Sequence, residues 1–461
     1  MTTTTPAMRG VSPLTGRREP WMDALLADPG ACSTLLAEHG SPVNLVDTTP
    51  LARNAAELHQ VATEFGVPLL VQVARKANKA LAVVDEAQQL GLGVDLGSER
   101  ELRQVLERGM PAQRVVLTAA VKPTSLLQLC LDANVLVALD NLDEADELAA
   151  MAAAQGIRAR VALRIAPPTG SALPPSRFGL QPTAWLGWLA GQADVSVEGV
   201  HFHLHGYAAA DRVRMLEPAL ELVDALREAG HPAGFVDIGG GIPMSYLDDA
   251  TQWETFWQEH RAGLAAGEPL TWRGHPLATV YPYHQSPVRG PWLRDLLGQA
   301  CGTSTVAAQL VERGLELRCE PGRAMLDGCG MTLARVCFRK QTSDGIALVG
   351  LEMNRTQCRS TSDDYMVDPV LVRPPSAGEP SEPMEAYLVG AYCIEAELVT
   401  LRRMVFPDGV AVGDIVAIPN TGGYLMHILE SASHQIPLAR NLSRLSGQAG
   451  FTVDPIEAAS L

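Results

Sequence analysis

The chain has no Cys-x-x-Cys pair, no long apolar run and no surplus of positive charge, and each lack closes off a class of protein. Its eight cysteines (Cys32, Cys130, Cys301, Cys319, Cys329, Cys337, Cys358 and Cys393) are scattered through 461 residues. That is not a disulfide framework, and it reads as a chain from a reducing compartment. No stretch approaches about eighteen consecutive apolar residues, so no membrane span is expected. Residues 1–20 carry Thr and Arg but no apolar h-region; they read as a flexible tail, not a secretory signal. Lys and Arg number 36 against 52 acidic residues, a net charge of −16. Such a surface repels phosphate backbones and anionic lipids, which argues against nucleic-acid and membrane partners. Gly91-Leu-Gly93 fails the dinucleotide fingerprint because Gly97 falls at the wrong spacing. A soluble, cytoplasmic protein is the expectation.

What is present is the material of a large packed fold. Hydrophobic residues make up 47% and charged residues only 19%, which rules out disorder for most of the chain. Short apolar runs alternate with helical patterns up to Arg323. The runs are 69–74, 93–95, 115–119, 135–140, 160–166, 197–204, 235–238 and 315–319. Strands that are apolar almost throughout, with helices between, imply a parallel sheet covered on both faces. Eight in a row predict an α/β fold, a (β/α)8 TIM-type barrel over residues 45–323. Beyond Arg323 helices are scarce. The segments 332–337, 345–351, 386–389, 398–405 and 414–418 are strand-like, so a mostly β C-terminal domain is expected over 324–461. The Pro- and Ser-rich stretch 370–383 reads as an exposed loop. The proline-rich segment 274–291, with Tyr281-Pro-Tyr-His284, reads as an insertion between the seventh and eighth strands, on the barrel's active face.

Barrels carry their chemistry at the C-terminal ends of the strands, with phosphate sites after the last two. After the seventh run stand Gly239, Gly240 and Gly241, whose backbone N–H groups can approach an anion with no Cβ in the way. The eighth run ends in Glu320-Pro-Gly322-Arg323, which offers a guanidinium fork with room beside it. Lys76 follows the first run, Asp95 ends the second, Arg164 lies in the fifth and His203 in the sixth. A lysine, a histidine, acids and an anion cradle at one mouth suit a phosphate-bearing aldehyde such as pyridoxal 5'-phosphate. A rival reading rests on His201, His203 and His205: in alternation they would share one side of a strand and could hold zinc in a metal-dependent barrel hydrolase. The scarcity of further ligands on other strands weighs against it, and no metal is expected.

Several motifs occur in order: Ala74-Arg-Lys76-Ala-Asn78, Gly93-Val-Asp95 with Glu101-Leu102, Arg177-Phe-Gly179, Gly199-Val-His-Phe-His203, Gly239-Gly-Gly241, Glu320-Pro-Gly-Arg323, Gly390-Ala-Tyr-Cys393 and Gly422-Gly-Tyr424. Over about residues 40–445 the chain resembles the alanine-racemase-fold (fold type III) pyridoxal-phosphate decarboxylases of diaminopimelate, ornithine and lysine. The resemblance implies a barrel plus a β domain that takes in an N-terminal segment, here 21–44, and a homodimer with shared active sites. It implies a Lys76 Schiff base with Asp95 close by, Glu320 on the pyridinium nitrogen, and His203 stacked on the ring. The phosphate would be held by Gly240, Gly241, Arg323 and Tyr424, with Gly239 and Gly322 also at the cofactor. Cys393 of the partner subunit would protonate the quinonoid intermediate left when CO2 departs.

Three departures from the family pattern bear on substrate. Cys393 is followed by Ile394 and only then Glu395, so a family glutamate's role in substrate recognition does not transfer directly, since one residue can turn a side chain to the opposite face. The serine of the family's His-Ile-Gly-Ser is absent from His203-Leu-His-Gly206-Tyr207, so either His205 or Tyr207 replaces it at the phosphate or the site has a different shape. The family's carboxylate-binding arginine is hard to place; Arg355 and Arg359 are candidates, and Arg164 could touch cofactor or substrate or merely pair within the barrel. With the 274–291 insertion these departures predict an amino-acid substrate other than free diaminopimelate, such as a modified or conjugated one. An amino-acid racemase using Lys76 and Cys393 as opposed bases, and a non-catalytic paralogue, are the other readings.

Overall fold

The structure, a computed structural model, describes residues 8–458. Eight parallel strands close a barrel in the order β3 (Leu69–Ala74), β4 (Gly93–Leu96), β5 (Val115–Leu117), β6 (Leu136–Leu139), β7 (Ala159–Arg164), β8 (Val195–His201), β9 (Phe235–Asp237) and β12 (Glu316–Cys319), with β12 pairing back to β3. These are the eight runs expected from sequence. They are apolar on alternate and intervening positions alike because one face lines the barrel and the other lies under helices. The small hairpin β10 (Ala300–Cys301) and β11 (Ser304–Thr305) lies between β9 and β12.

Local signals set the helix starts that aim residues at the barrel mouth. Among helices α1 (Pro20–Leu26), α2 (Pro29–His39), α3 (Thr49–Glu64), α4 (Leu81–Gln89) and α5 (Glu99–Glu107), the last is begun by Ser98. Its hydroxyl accepts the N–H of Glu101, while the Glu101 carboxylate accepts the N–H of Gly97 at 2.7 Å. Two otherwise orphaned donors are thereby satisfied, and Leu102 and Val105 turn into the core.

The second domain is a ten-stranded sheet. Its centre is the long β13 (Gly330–Gln341), flanked by β14 (Ala347–Leu351), β18 (Ile415–Pro419) and β2 (Val43–Asp47). β2 also pairs in parallel with β19 (Arg440–Arg444), which β20 (Thr452–Val453) edges. The segment ahead of the barrel thus contributes a strand to the C-terminal domain and runs on to Asp47. Met22, Leu26, Cys32 and Leu36 of α1 and α2 seal the same sheet against Met331, Leu333, Ile415 and Leu442.

Three expectations need correction. The flexible tail does not begin the described chain: β1 (Arg9–Gly10) pairs with β17 (Met404–Phe406), Leu14 is fully buried, and Arg402 Nη2 donates to Ser12 O at 2.6 Å. Residues 1–7 of that tail lie outside the described residues. Within the supposed exposed loop 370–383, β15 (Val370–Val372) pairs with β18 and buries Leu371 and Val372. Its three apolar residues stand just ahead of a Pro- and Ser-rich stretch, whose composition hid them. Of 398–405, only the end is strand, in β17, which pairs with β16 (Met384–Val389). Buried Asp364 instead takes up the Leu401 N–H and the Thr400 hydroxyl.

The 274–291 segment lies where expected in the chain, and it is well packed. Tyr281 and Tyr283 are buried, Tyr246 N donates to Tyr283 O at 2.8 Å, and Thr279 bonds Asp363 through its N–H at 2.7 Å and its hydroxyl at 2.8 Å. It therefore bridges the barrel mouth and a loop of the β domain.

Candidate active site

β3 ends at Ala74 and the chain makes a single 3-10 turn over Arg75–Ala77. Arg75 turns inward, its guanidinium bonding the carbonyl oxygens of Asn78 and Lys79, and Lys76 is left at the barrel mouth. Lys76 Nζ donates to Asp95 Oδ2 at 2.7 Å, and the Thr118 hydroxyl holds the other Asp95 oxygen. Burial alone would lower the lysine's pKa, but Asp95, Tyr424 and Glu320 outweigh it and raise it. Burial alone would raise Asp95, and the lysine and its hydrogen bonds bring it down instead. Asp95 is buried while the Lys76 side chain stays 42% exposed, so the pair presents a charged amine at the barrel mouth.

The glycine loop is built by exclusion. Gly239 and Gly241 have φ of +64° and +78°, which L side chains rarely adopt. A Cβ on Gly239 would lie 2.7 Å from Phe202 O, and one on Gly241 would strike the Arg212 guanidinium. Gly240 donates its N–H to His203 Nδ1 at 3.0 Å. Arg212, fully buried, binds the loop from behind: Nη2 donates to Gly206 O at 2.6 Å, to Leu204 O at 3.3 Å and to the carbonyls of Gly240 and Gly241 at 3.4 Å. Sequence reasoning missed Arg212, because an arginine near the start of a helix is ordinarily solvated.

Across the cavity, a Cβ on Gly322 would stand 2.5 Å from the Tyr424 hydroxyl. Arg323 Nη1 donates to the Tyr246 hydroxyl at 2.9 Å and to Gly423 O at 3.2 Å, and the guanidinium lies 4.3 Å from the Tyr281 ring centroid. Tyr246 and Tyr281 were not anticipated as partners. Burial would depress Arg323, but the surrounding phenols more than offset it, so the group stays a cation. Glu320 is 3% exposed at the base, its Oε1 3.1 Å from His201 Nε2. Burial first, and then Asp95, push its pKa up to about 8. Burial, aided by Lys76 and Arg164, pushes His203 down to about 3 and leaves its imidazole neutral.

The result is a cavity of about 340 Å³ with Lys76, His203 and Glu320 on its walls and Gly240, Gly241, Gly322, Arg323 and Tyr424 closing one end. Asp95 and Gly239 stand directly behind that wall. Arg164 does not join it: it pairs with Asp140 at 3.4 Å, lies 4.1 Å from the Phe178 ring centroid, and is not among the cavity's lining residues. Arg355, Arg359 and Glu395 line a neighbouring cleft of about 560 Å³ that shares Ser360 and Thr361 with the cavity. Arg359 is committed there, donating to Leu398 O at 2.6 Å and pairing with Asp364 at 3.3 Å. Cys393 is exposed and lines another cleft, not the Lys76 cavity of its own chain. The three alternating histidines do not share a strand face, because β8 ends at His201: His201 meets Glu320, His203 meets Gly240, and His205 is exposed.

Residues 51–266 match the family described as pyridoxal-dependent decarboxylase, pyridoxal binding domain. An uncharacterized protein, y4yA, of Sinorhizobium fredii is 33% identical over 409 residues, covering 87% of each chain. The diaminopimelate decarboxylase of Pseudomonas aeruginosa is 26% identical over 421 residues, again 87% of each. The chain belongs to the pyridoxal-dependent amino-acid decarboxylases. It is a pyridoxal-phosphate-dependent carboxy-lyase by family, not a metal-dependent hydrolase. The fold agrees: diaminopimelate decarboxylase from M. jannaschii, solved with L-lysine, superposes with a TM-score of 0.70 at 18% identity, covering 92% of this chain and 91% of that one. Lysine/ornithine decarboxylase from Vibrio vulnificus, solved with putrescine, gives 0.65 at 17% identity, over 90% of this chain and 98% of that one.

The decarboxylase's cavity fits its cofactor. An anion end stripped of Cβ atoms and faced by a permanent cation suits a phosphate; an amine beside a carboxylate suits an aldehyde; and a buried carboxyl at the base suits a ring nitrogen. Among the described residues no helix is long and apolar enough to cross a membrane.

Proposed function

We propose that the enzyme decarboxylates the α-carbon of a diamino acid or of a modified or conjugated amino acid, and not free diaminopimelate as such. The observation that carries this is the convergence of Lys76, paired with Asp95 at 2.7 Å, with Glu320 and the Gly240–Arg323–Tyr424 end on one cavity. Bound pyridoxal phosphate supplies an electron sink for the pair released when CO2 leaves Cα. Lys76 is the amine that anchors it, and Asp95 keeps that amine oriented. Glu320 holds or gives a proton at the ring nitrogen. His203, neutral and fixed by the Gly240 N–H, presents its flat face to the ring. Gly240, Gly241, Gly322, Arg323 and Tyr424 bind the phosphate, Gly239 shapes the loop behind them, and the Tyr207 hydroxyl, at the same cavity, takes the missing serine's part.

The exposed Cys393 is the proton donor to Cα in a homodimer, each site receiving Cys393 of the partner subunit; that Cys393 does not line its own chain's Lys76 cavity supports that arrangement. Arg355 and Glu395 in the adjoining cleft face the substrate's far end, where Trp272, Arg273 and His275, next to and within the insertion, add bulk and charge. Eight unpaired thiols support a cytoplasmic setting.

The test is to incubate cofactor-loaded enzyme with L, D and meso amino acids in deuterated water and read products by mass spectrometry. Loss of CO2 with one deuteron gained at Cα supports the proposal. Deuterium uptake with the carboxylate retained contradicts it, and equal turnover of free diaminopimelate, lysine and ornithine contradicts the substrate claim.

A further inference from the structure

His201, Asp237 and Glu320 form a buried cluster that the proposed chemistry uses only in part. Their side-chain ligand atoms all lie within 4.8 Å of one another, and each residue is at most 3% exposed. The barrel sets this proximity: His201 closes β8, in register with Arg164 on β7 and with Asp237 on β9, and Glu320 directly follows β12. The other charged groups facing Glu320 are Lys76 at the end of β3, Asp95 on β4 and Arg164 on β7.

We propose that His201 is a positioning residue whose Nε2–H donates to Glu320 Oε1, fixing the carboxylate so that its second oxygen serves the cofactor's ring nitrogen. This rests on the assignment of Glu320 to that nitrogen. Two observations support it. His201 Nε2 lies 3.1 Å from Glu320 Oε1, while His201 Nδ1 is buried with no partner among the described residues. A neutral imidazole has one N–H, and an N–H buried without an acceptor is costlier than a bare lone pair. The tautomer protonated at Nε2 therefore wins, and its hydrogen points at the carboxylate. Burial, with Arg164 alongside, pushes His201 down to about 4, so the ring is a neutral donor at working pH. Asp237 opposes the charge on Glu320, and its own pKa is pushed up to about 7, by burial first and then by Glu320. Its Oδ1 is occupied in accepting the Gly239 N–H at 2.9 Å, so it does not substitute for the imidazole.

The experiment reconstitutes holoenzyme with pyridoxal phosphate labelled with 15N in the ring, and reads the nitrogen's protonation by solid-state NMR beside kcat and KM. The wild type should show a protonated ring nitrogen. His201→Leu, which leaves Glu320 without its donor, should move that signal toward the unprotonated position and lower kcat about ten- to hundredfold, with KM nearly constant. His201→Gln, which keeps an N–H donor, should restore most of both. Asp237→Asn removes the opposing charge and keeps an acceptor for Gly239, so its nitrogen signal should stay protonated. The inference is overturned if His201→Leu keeps the wild-type signal, if the glutamine variant falls as far as the leucine variant, or if Asp237→Asn loses the signal as well. An unprotonated ring nitrogen in the wild type would instead sink the Glu320 assignment, and this inference with it.

Discussion

Gly322→Ala isolates one steric demand of the phosphate end. Gly322 is not in the left-handed region, so alanine costs nothing in backbone conformation. The added methyl carbon would lie 2.5 Å from the Tyr424 hydroxyl and 2.8 Å from two of its ring carbons, where ordinary contact begins at 3.4 Å. The ring must therefore retreat, and it has little freedom to do so. Tyr424 N donates to Ala77 O at 2.7 Å, its own φ is +71°, and its ring packs 5.1 Å from the Arg323 guanidinium. Overpacking of this kind costs about 1–3 kcal/mol. Because the displaced groups are the ones that meet the phosphate, that energy should appear as roughly ten- to hundredfold weaker binding of pyridoxal phosphate, at about 1.4 kcal/mol per tenfold. Fluorescence titration of the cofactor-free enzyme measures it. Gly298→Ala, at an exposed glycine with nothing within 4 Å of its Cβ, is the control and should bind as the wild type does. Wild-type affinity in Gly322→Ala would refute the reasoning, because Tyr424 would then have no part in holding the phosphate.

Lys76→Ala should abolish covalently held cofactor, seen as loss of the borohydride-trapped adduct in the mass spectrum; full activity in that variant would end the assignment. Mixing inactive Lys76→Ala and Cys393→Ala enzymes should recover part of the activity, since a hybrid dimer rebuilds one complete site; no recovery argues against shared sites. Tyr207→Phe should weaken cofactor binding about three- to tenfold, the worth of one hydrogen bond, whereas His205→Ala, which removes a side chain that lines the same cavity but is exposed, should change it less in the same titration. Stability of the cofactor-free enzyme should fall between about pH 6.5 and 8. Glu320 and Asp237, raised to about 8 and 7, contribute stability that is full below their unfolded values and is lost as pH rises through the folded ones. His201 and His203, lowered to about 4 and 3, act oppositely, but only below their unfolded value of about 6.5. Melting temperatures across that window should therefore decline, and less so in Asp237→Asn; a flat profile in the wild type would contradict the burial of both carboxyls as acids.

The barrel was legible because its strands are buried on both faces, which writes them as apolar runs that no surface helix imitates. Lys76, Asp95 and Glu320-Pro-Gly-Arg323 were legible because they follow such runs directly, so naming the strand names the barrel mouth. β15 was not, since three apolar residues ahead of prolines look like loop until β18 is there to pair with them. Arg212 was not, because only the folded loop offers its buried guanidinium a set of carbonyl oxygens. The partners of Arg323 come from Tyr246 and from Tyr281, in an insertion that reads as loop by composition.

The sequence by itself determined which residues stand at the strand ends and which chemical groups the mouth contains, because period and apolar run are local properties of the chain. The tertiary structure alone decided how those groups pair. It ended β8 at His201 and so turned a zinc-like triplet into one residue on Glu320, one on Gly240 and one exposed. It also packed Arg164 against Asp140 and Phe178 and left Cys393 at the surface. The physical reason is that pairing depends on register around a closed barrel and on segments hundreds of residues apart, neither of which any local pattern records.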